Sequence, residues 1–139
     1  MTVPLWCLLG FAVWTVLVLL TSVVTPRVVA VLTGRARAGD FPATTPHGTP
    51  AYQRAIRAHA NCVENLPVFG AVVAVVTLSH TDAAPIDTLA MVYLGARVCQ
   101  TVTHMISITP MAINVRFTFF LTQLVCVLWM AALVVGRAG

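Results

Sequence analysis

Apolar residues run along this chain in four long blocks separated by short polar stretches. The first block, Met1–Pro26, carries no charged side chain, and later blocks cover about Val63–Ser79, Ile86–Ile108 and Val115–Val135. A helix needs about twenty apolar residues to cross a hydrocarbon slab of roughly 30 Å, and each block is close to that length. The pattern predicts an all-α membrane protein. It reads as one domain over residues 1–139, a four-transmembrane-helix bundle with helices at about 4–32, 50–80, 85–108 and 114–136. The first block lacks a basic n-region and outruns the usual h-region of about 7–15 residues, so it reads as a retained helix rather than a cleaved signal peptide.

Proline and glycine mark the boundaries. Pro26 is expected to kink the end of the first helix. The segment GRARAGDFPATTPHGTP, Gly34 to Pro50, has too much glycine and proline for a regular element. Its length leaves two readings open, a cover over a site or plain disorder. Thr49–Pro50 marks the start of the second helix, because proline suits a first helical turn. Pro67 frees the Val63 carbonyl inside that helix. Pro85 and Asp87 suit the first turn of the third helix, and SITPMAIN closes the second hairpin before the fourth.

Composition sharpens this picture. Hydrophobic residues make up 59% of the chain and charged ones 9%, against about 25% charged in soluble domains. The net charge of +4 comes entirely from arginine. Nucleic acid is not the implied partner, because Arg27, Arg35, Arg37, Arg54 and Arg57 cluster in or beside the first connection and Arg116 follows the third. The other side has Arg137 with Asp82 and Asp87. By the positive-inside rule the first and third connections are cytoplasmic and both termini lie outside, with Trp6 and Trp129 near the outer boundary. The absence of lysine beside abundant alanine, valine and arginine points to a GC-rich genome, hence to a bacterial inner membrane. Cys7, Cys62, Cys99 and Cys126 fall one per helix and read as small hydrophobes. His47, His59, His80 and His104 lack ligand spacing, so no metal site is expected.

The candidate chemistry lies in polar residues that interrupt the apolar blocks. Arg54, Arg57, Asn61 and Glu64 recur at three-, four- and three-residue steps, which sets them on one side of the second helix. The third helix has Arg97, Gln100, Thr101, His104 and Ser107, and the fourth has Arg116 with Gln123 two turns on. An arginine at mid-span costs about 2.5–3.5 kcal/mol on insertion scales, so Arg97 needs a partner. Glu64 is the only acidic side chain among these stripes, and a Glu64–Arg97 ion pair tying two helices together is one expectation. One carboxylate does not neutralise the other arginines, however. The surplus positive charge suggests a site for a small anionic ligand. Arg54 and Arg57 also have the plainer reading of obeying the positive-inside rule. His59 projects away from Arg57, toward a neighbouring helix or the loop. Phe117, Phe119 and Phe120 read as lipid or subunit contacts, or as a phenyl wall beside a ligand.

The stretch R-A-H-A-N-C-V-E-N-L-P-V-F, Arg57 to Phe69, resembles the signature of the membrane-associated proteins in eicosanoid and glutathione metabolism. Chain length, the four-helix plan, outward termini and the arginines of the third and fourth helices extend the resemblance over nearly the whole chain. It implies a homotrimer in the membrane lipid with glutathione, or a related low-molecular-weight thiol, between neighbouring subunits. Arg57, Asn61 and Glu64 would hold the thiol's carboxylates and amine, Arg97 and His104 would line the pocket, and Arg116 would stabilise the thiolate. The implied activity is a glutathione-transferase-like conjugation of apolar electrophiles, or reduction of lipid hydroperoxides. His104 and Phe120 stand where members have tyrosines, and Ala60 where eicosanoid-making members have arginine. A non-catalytic, lipid-presenting or scaffolding role, like that of the five-lipoxygenase activating protein, is the second implied reading. A purely structural bundle, its polar groups satisfying one another, is the third.

Overall fold

In a computed structural model, which describes residues 1–42, 46–81 and 84–138, the chain forms α1 (Val3–Leu19), α2 (Thr25–Leu32), α3 (Pro50–Leu78), α4 (Ala84–Ile106) and α5 (Pro110–Ala138). No strand occurs among the described residues. A π-helical turn, Leu20–Val24, joins α1 to α2 in one rod. Pro26 explains the turn: it has no N–H for the Ser22 carbonyl, and the helix widens just before it, where the Thr25 amide bonds back to Leu20. The rod ends at Gly34, whose φ of +69° lets the Arg35 amide reach the Ala30 carbonyl at 2.9 Å. That pairing satisfies end carbonyls otherwise left without donors.

The third connection differs from expectation. α5 begins at Pro110, not near Asn114. Thr109 accepts a hydrogen bond from the Ala112 amide at 3.2 Å, and Pro110 follows as the first helical residue. Thr49 and Pro50 begin α3 the same way, with the Tyr52 amide donating to Thr49 at 3.2 Å. Both helices thus start with a threonine cap and a proline, the second pair lying inside a short polar connection that disguises the signal. Asp82, expected on the outer side, and residues 43–45 of the long connection lie outside the described residues.

Four rods make the bundle. α4 and α5 form the most extensive pairing, and α1 packs on α3 and α4. Lipid offers no hydrophobic drive between helices, so close van der Waals fit must hold them. Small residues allow it: Ala55 and Ala58 on α3 and Ala90 on α4 are buried. At Gly10 the approach is close enough that a Cβ would meet a Leu94 methyl at 3.2 Å. Mid-bundle, the Phe69 and Tyr93 rings stack with centroids 4.0 Å apart, and Phe11 tilts against both. Val73, Ala90 and Met130 continue the core beyond them, all at 0% exposure.

The outer surface is apolar: Leu9, Val13, Val16, Val125 and Leu128 all face outward. Val3–Leu32, Pro50–Leu78 and Pro110–Arg137 are long and apolar enough to cross a membrane. α4 is diluted by Arg97, Gln100 and Thr101, which are buried among the other helices. At 23 residues it is about 35 Å long, enough to span beside them. The protein is therefore an all-α membrane bundle.

Candidate functional site

The polar residues meet where α3, α4 and α5 converge, toward the ends of the helices that carry the arginines. Arg97 is the largest fully buried side chain. One Nη donates to Asn61 Oδ1; Nε and the other Nη make no well-formed hydrogen bond, and the Tyr93 hydroxyl is a polar neighbour of the guanidinium. The guanidinium carbon lies 5.4 Å from the Phe11 ring centroid, a cation–π placement that offsets part of the burial cost. The expected Glu64–Arg97 ion pair is not made within the chain. Glu64 is exposed, and Asn61 occupies the position facing Arg97.

Helical phase accounts for the difference. The buried side of α3 is set by Ala55, Ala58 and Cys62. At about 100° per residue, Arg57 and Glu64 align with each other and point more than 90° away from those residues. Asn61 lies between the two directions. Arg57 and Glu64 are accordingly exposed and Asn61 half-buried.

A cleft of about 270 Å³ opens beside this contact, lined by Asn61, Gln100, His104, Ile113, Arg116, Phe117 and Phe120. Three predicted site residues, Asn61, His104 and Arg116, come together here. Arg97 stands behind Asn61, and Arg57 and Arg116 are both close enough to act electrostatically on His104. Glu64 is not brought to the cleft. Arg54, by contrast, is drawn to α4: its Nε donates to the Met105 carbonyl at 3.3 Å, placing positive charge at that helix's C-terminal end.

Hydrogen bonding behind the cleft decides what its front presents. Asn61 uses its oxygen on Arg97, so its amide nitrogen is the group left for a ligand. Gln100 behaves alike. Its oxygen accepts from Gln123 Nε2 at 3.0 Å, leaving its own nitrogen free, and Gln123 is anchored further by the Phe119 carbonyl at 2.9 Å. With the Arg116 guanidinium, three side chains offer donors beside the His104 imidazole, and no carboxylate lines the cleft among the described residues. Such a surface suits an acceptor-rich, negatively charged ligand. Ile113, Phe117 and Phe120 line the cleft on the same helix as Arg116, so an apolar group is accommodated beside the anion.

Gln100 belongs to the polar stripe of α4, and its pairing with Gln123 is what turns its amide nitrogen toward the cleft. Phe117 and Phe120 line the cleft, in keeping with a phenyl wall. His59 is half-buried with Nδ1 unpartnered. A larger concavity of about 630 Å³ lies at the far end of the bundle, near Thr77, His80 and Asp87. It gathers none of the predicted site residues, so the smaller cleft is the better candidate.

A model of the MAPEG family matches residues 5–136, nearly the whole chain. The chain belongs to the MAPEG family. Membership makes it a membrane protein of the glutathione-transferase-like or activating-protein-like kind, and the helical bundle agrees with that assignment. No curated protein matches this MAPEG chain.

Proposed function

We propose that the protein is a homotrimeric membrane transferase that joins glutathione, or another low-molecular-weight thiol, to apolar electrophiles. One observation carries the reading: a single cleft brings the amide and guanidinium donors of Asn61, Gln100 and Arg116 beside the phenyl rings of Phe117 and Phe120. A peptide-like thiol supplies carboxylates and carbonyls for the donors, and an electrophile from the bilayer fits against the rings. Arg57 and Glu64, exposed and facing away from the cleft of their own chain, are suited to complete the cleft of a neighbouring copy, where they would hold a carboxylate and an amine.

A free thiol has a pKa near 8.5, and a guanidinium within a few ångströms favours the thiolate. Arg116 is the residue we assign to that role. The thiol proton passes to solvent or to His104. The thiolate sulfur then forms a bond to the electrophilic carbon while the leaving group departs with its electron pair. With a lipid hydroperoxide, attack on oxygen would release the alcohol and leave an oxidised thiol for a second thiol to reduce.

The test is turnover of a generic aryl halide by detergent-purified protein across several thiols. Saturable conjugation above the uncatalysed rate is expected, and background turnover with every thiol and electrophile would refute the catalytic reading. A lipid-presenting role is the second reading, favoured by phenylalanine at position 120, where transferring members have a hydroxyl. Thermal stabilisation by a fatty acid but by no thiol would select it.

A further inference from the structure

α2 carries Arg27, Val28, Val31 and Leu32 along one side, the spacing of a single helical face. No residue of α2 is buried; α3 reaches this side at Arg27 through Tyr52 and leaves Val28, Val31 and Leu32 exposed. The chain around Ala38–Asp40 turns back over it instead, and Phe41 helps enclose a cleft of about 350 Å³ with Arg27, Val28, Val31, Leu32 and Ala38.

Arg27 is the fixed polar group of this cleft. Its Nε donates to the Tyr52 hydroxyl, and its guanidinium sits 5.3 Å from the Phe41 ring centroid and 5.7 Å from that of Tyr52. Anchored at Nε, it keeps its terminal nitrogens for an acceptor. Arg35 and Arg37 follow on the adjoining turn, both exposed. Among the described residues no acidic side chain lines the cleft; the nearby Asp40 carboxylate, which accepts from the Arg37 backbone amide at 2.7 Å, offsets one of the three arginine charges and leaves a positive surplus. The location is the end of an apolar span, since Val3–Leu32 is long enough to cross the bilayer and stops here.

We propose that this cleft binds an anionic phospholipid, with its phosphate on Arg27 and one acyl chain along Val28, Val31 and Phe41. The two halves of the cleft require it together. A soluble phosphate would leave the apolar trough unused, and a fatty chain alone would leave the guanidinium unpaired. A zwitterionic lipid brings its own cation beside three arginines. Only a lipid with net negative charge complements both halves, and basic clusters at a span's end attract such headgroups.

The experiment titrates the full chain, purified in neutral detergent, with dioleoyl phosphatidylglycerol and dioleoyl phosphatidylcholine, reading the first binding step by native mass spectrometry. Phosphatidylglycerol is expected to bind about tenfold more tightly, and Arg27→Gln to weaken it about fivefold with little change for phosphatidylcholine. Because Arg27→Gln also releases Tyr52, the exposed pair Arg35→Gln and Arg37→Gln is tested beside it. That double variant should reduce phosphatidylglycerol binding several-fold at an unchanged unfolding temperature. Equal affinity for the two lipids, or binding indifferent to both variants, overturns the proposal. So does displacement of the lipid by millimolar inorganic phosphate, which would assign the cleft to a soluble anion.

Discussion

Around Phe69, Val73, Ala90 and Met130 the helices meet through apolar side chains with no measurable exposure. Toward the arginine-bearing ends, the same helices meet through Arg97–Asn61 and Gln100–Gln123, and leave donors on Arg97 without a well-formed hydrogen bond. The first region is held by packing. The second is held by hydrogen bonds whose geometry also aims unused donors at a cleft. Buried donors without acceptors oppose folding. The amide nitrogens of Asn61 and Gln100, which line the cleft in front of Arg97, suit the region to binding an anion rather than to strengthening the bundle.

Four substitutions can break or sharpen that contrast. Phe69→Ala should act on the packed region, removing the partner of Tyr93 and destabilising the fold by about 3–5 kcal/mol, measured by thermal unfolding in detergent. A loss below about 1 kcal/mol would mean the stacked pair is not a core element. Arg116→Ala should act on the polar region, lowering turnover about 100-fold or more, as removal of an oxyanion-stabilising donor does. Thiol affinity should fall much less, and equal losses in binding and turnover would remove its thiolate role.

Arg97→Met tests the contrast most directly. Replacing a buried cation that has no acidic partner within the chain with an apolar side chain of similar length should leave the unfolding temperature unchanged or raise it. Thiol affinity should fall about tenfold, because Asn61 is no longer held with its nitrogen toward the cleft. A marked loss of stability would show that Arg97 is structural. The smallest effect is expected at Thr109→Ala, which removes the α5 cap and costs about 1 kcal/mol; turnover should be unaltered, since Thr109 does not line the cleft.

The long apolar runs made the helices legible, since about twenty such residues in water would be untenable outside a membrane or a large core. Thr49–Pro50 was equally readable, because a threonine oxygen and a proline without N–H answer a local need of the first turn. Thr109–Pro110 carries the same signal but was hidden inside a short polar connection. The site was legible as a list and not as an arrangement. Asn61, His104 and Arg116 do meet in one cleft, whereas Arg57 and Glu64 face away from it within the chain.

Sequence alone therefore determined the number of helices, their approximate ends, the family signature and the excess of arginine over acid. Those properties depend on neighbours along the chain, where periodicity and composition act. Which partner Arg97 takes, which end of Asn61 and Gln100 faces the cleft, and where Phe41 folds were decided only in three dimensions. Each depends on the rotation of one helix against another, and in this bundle Ala55, Ala58 and Cys62 set that rotation for α3 by packing closely, leaving Glu64 outside.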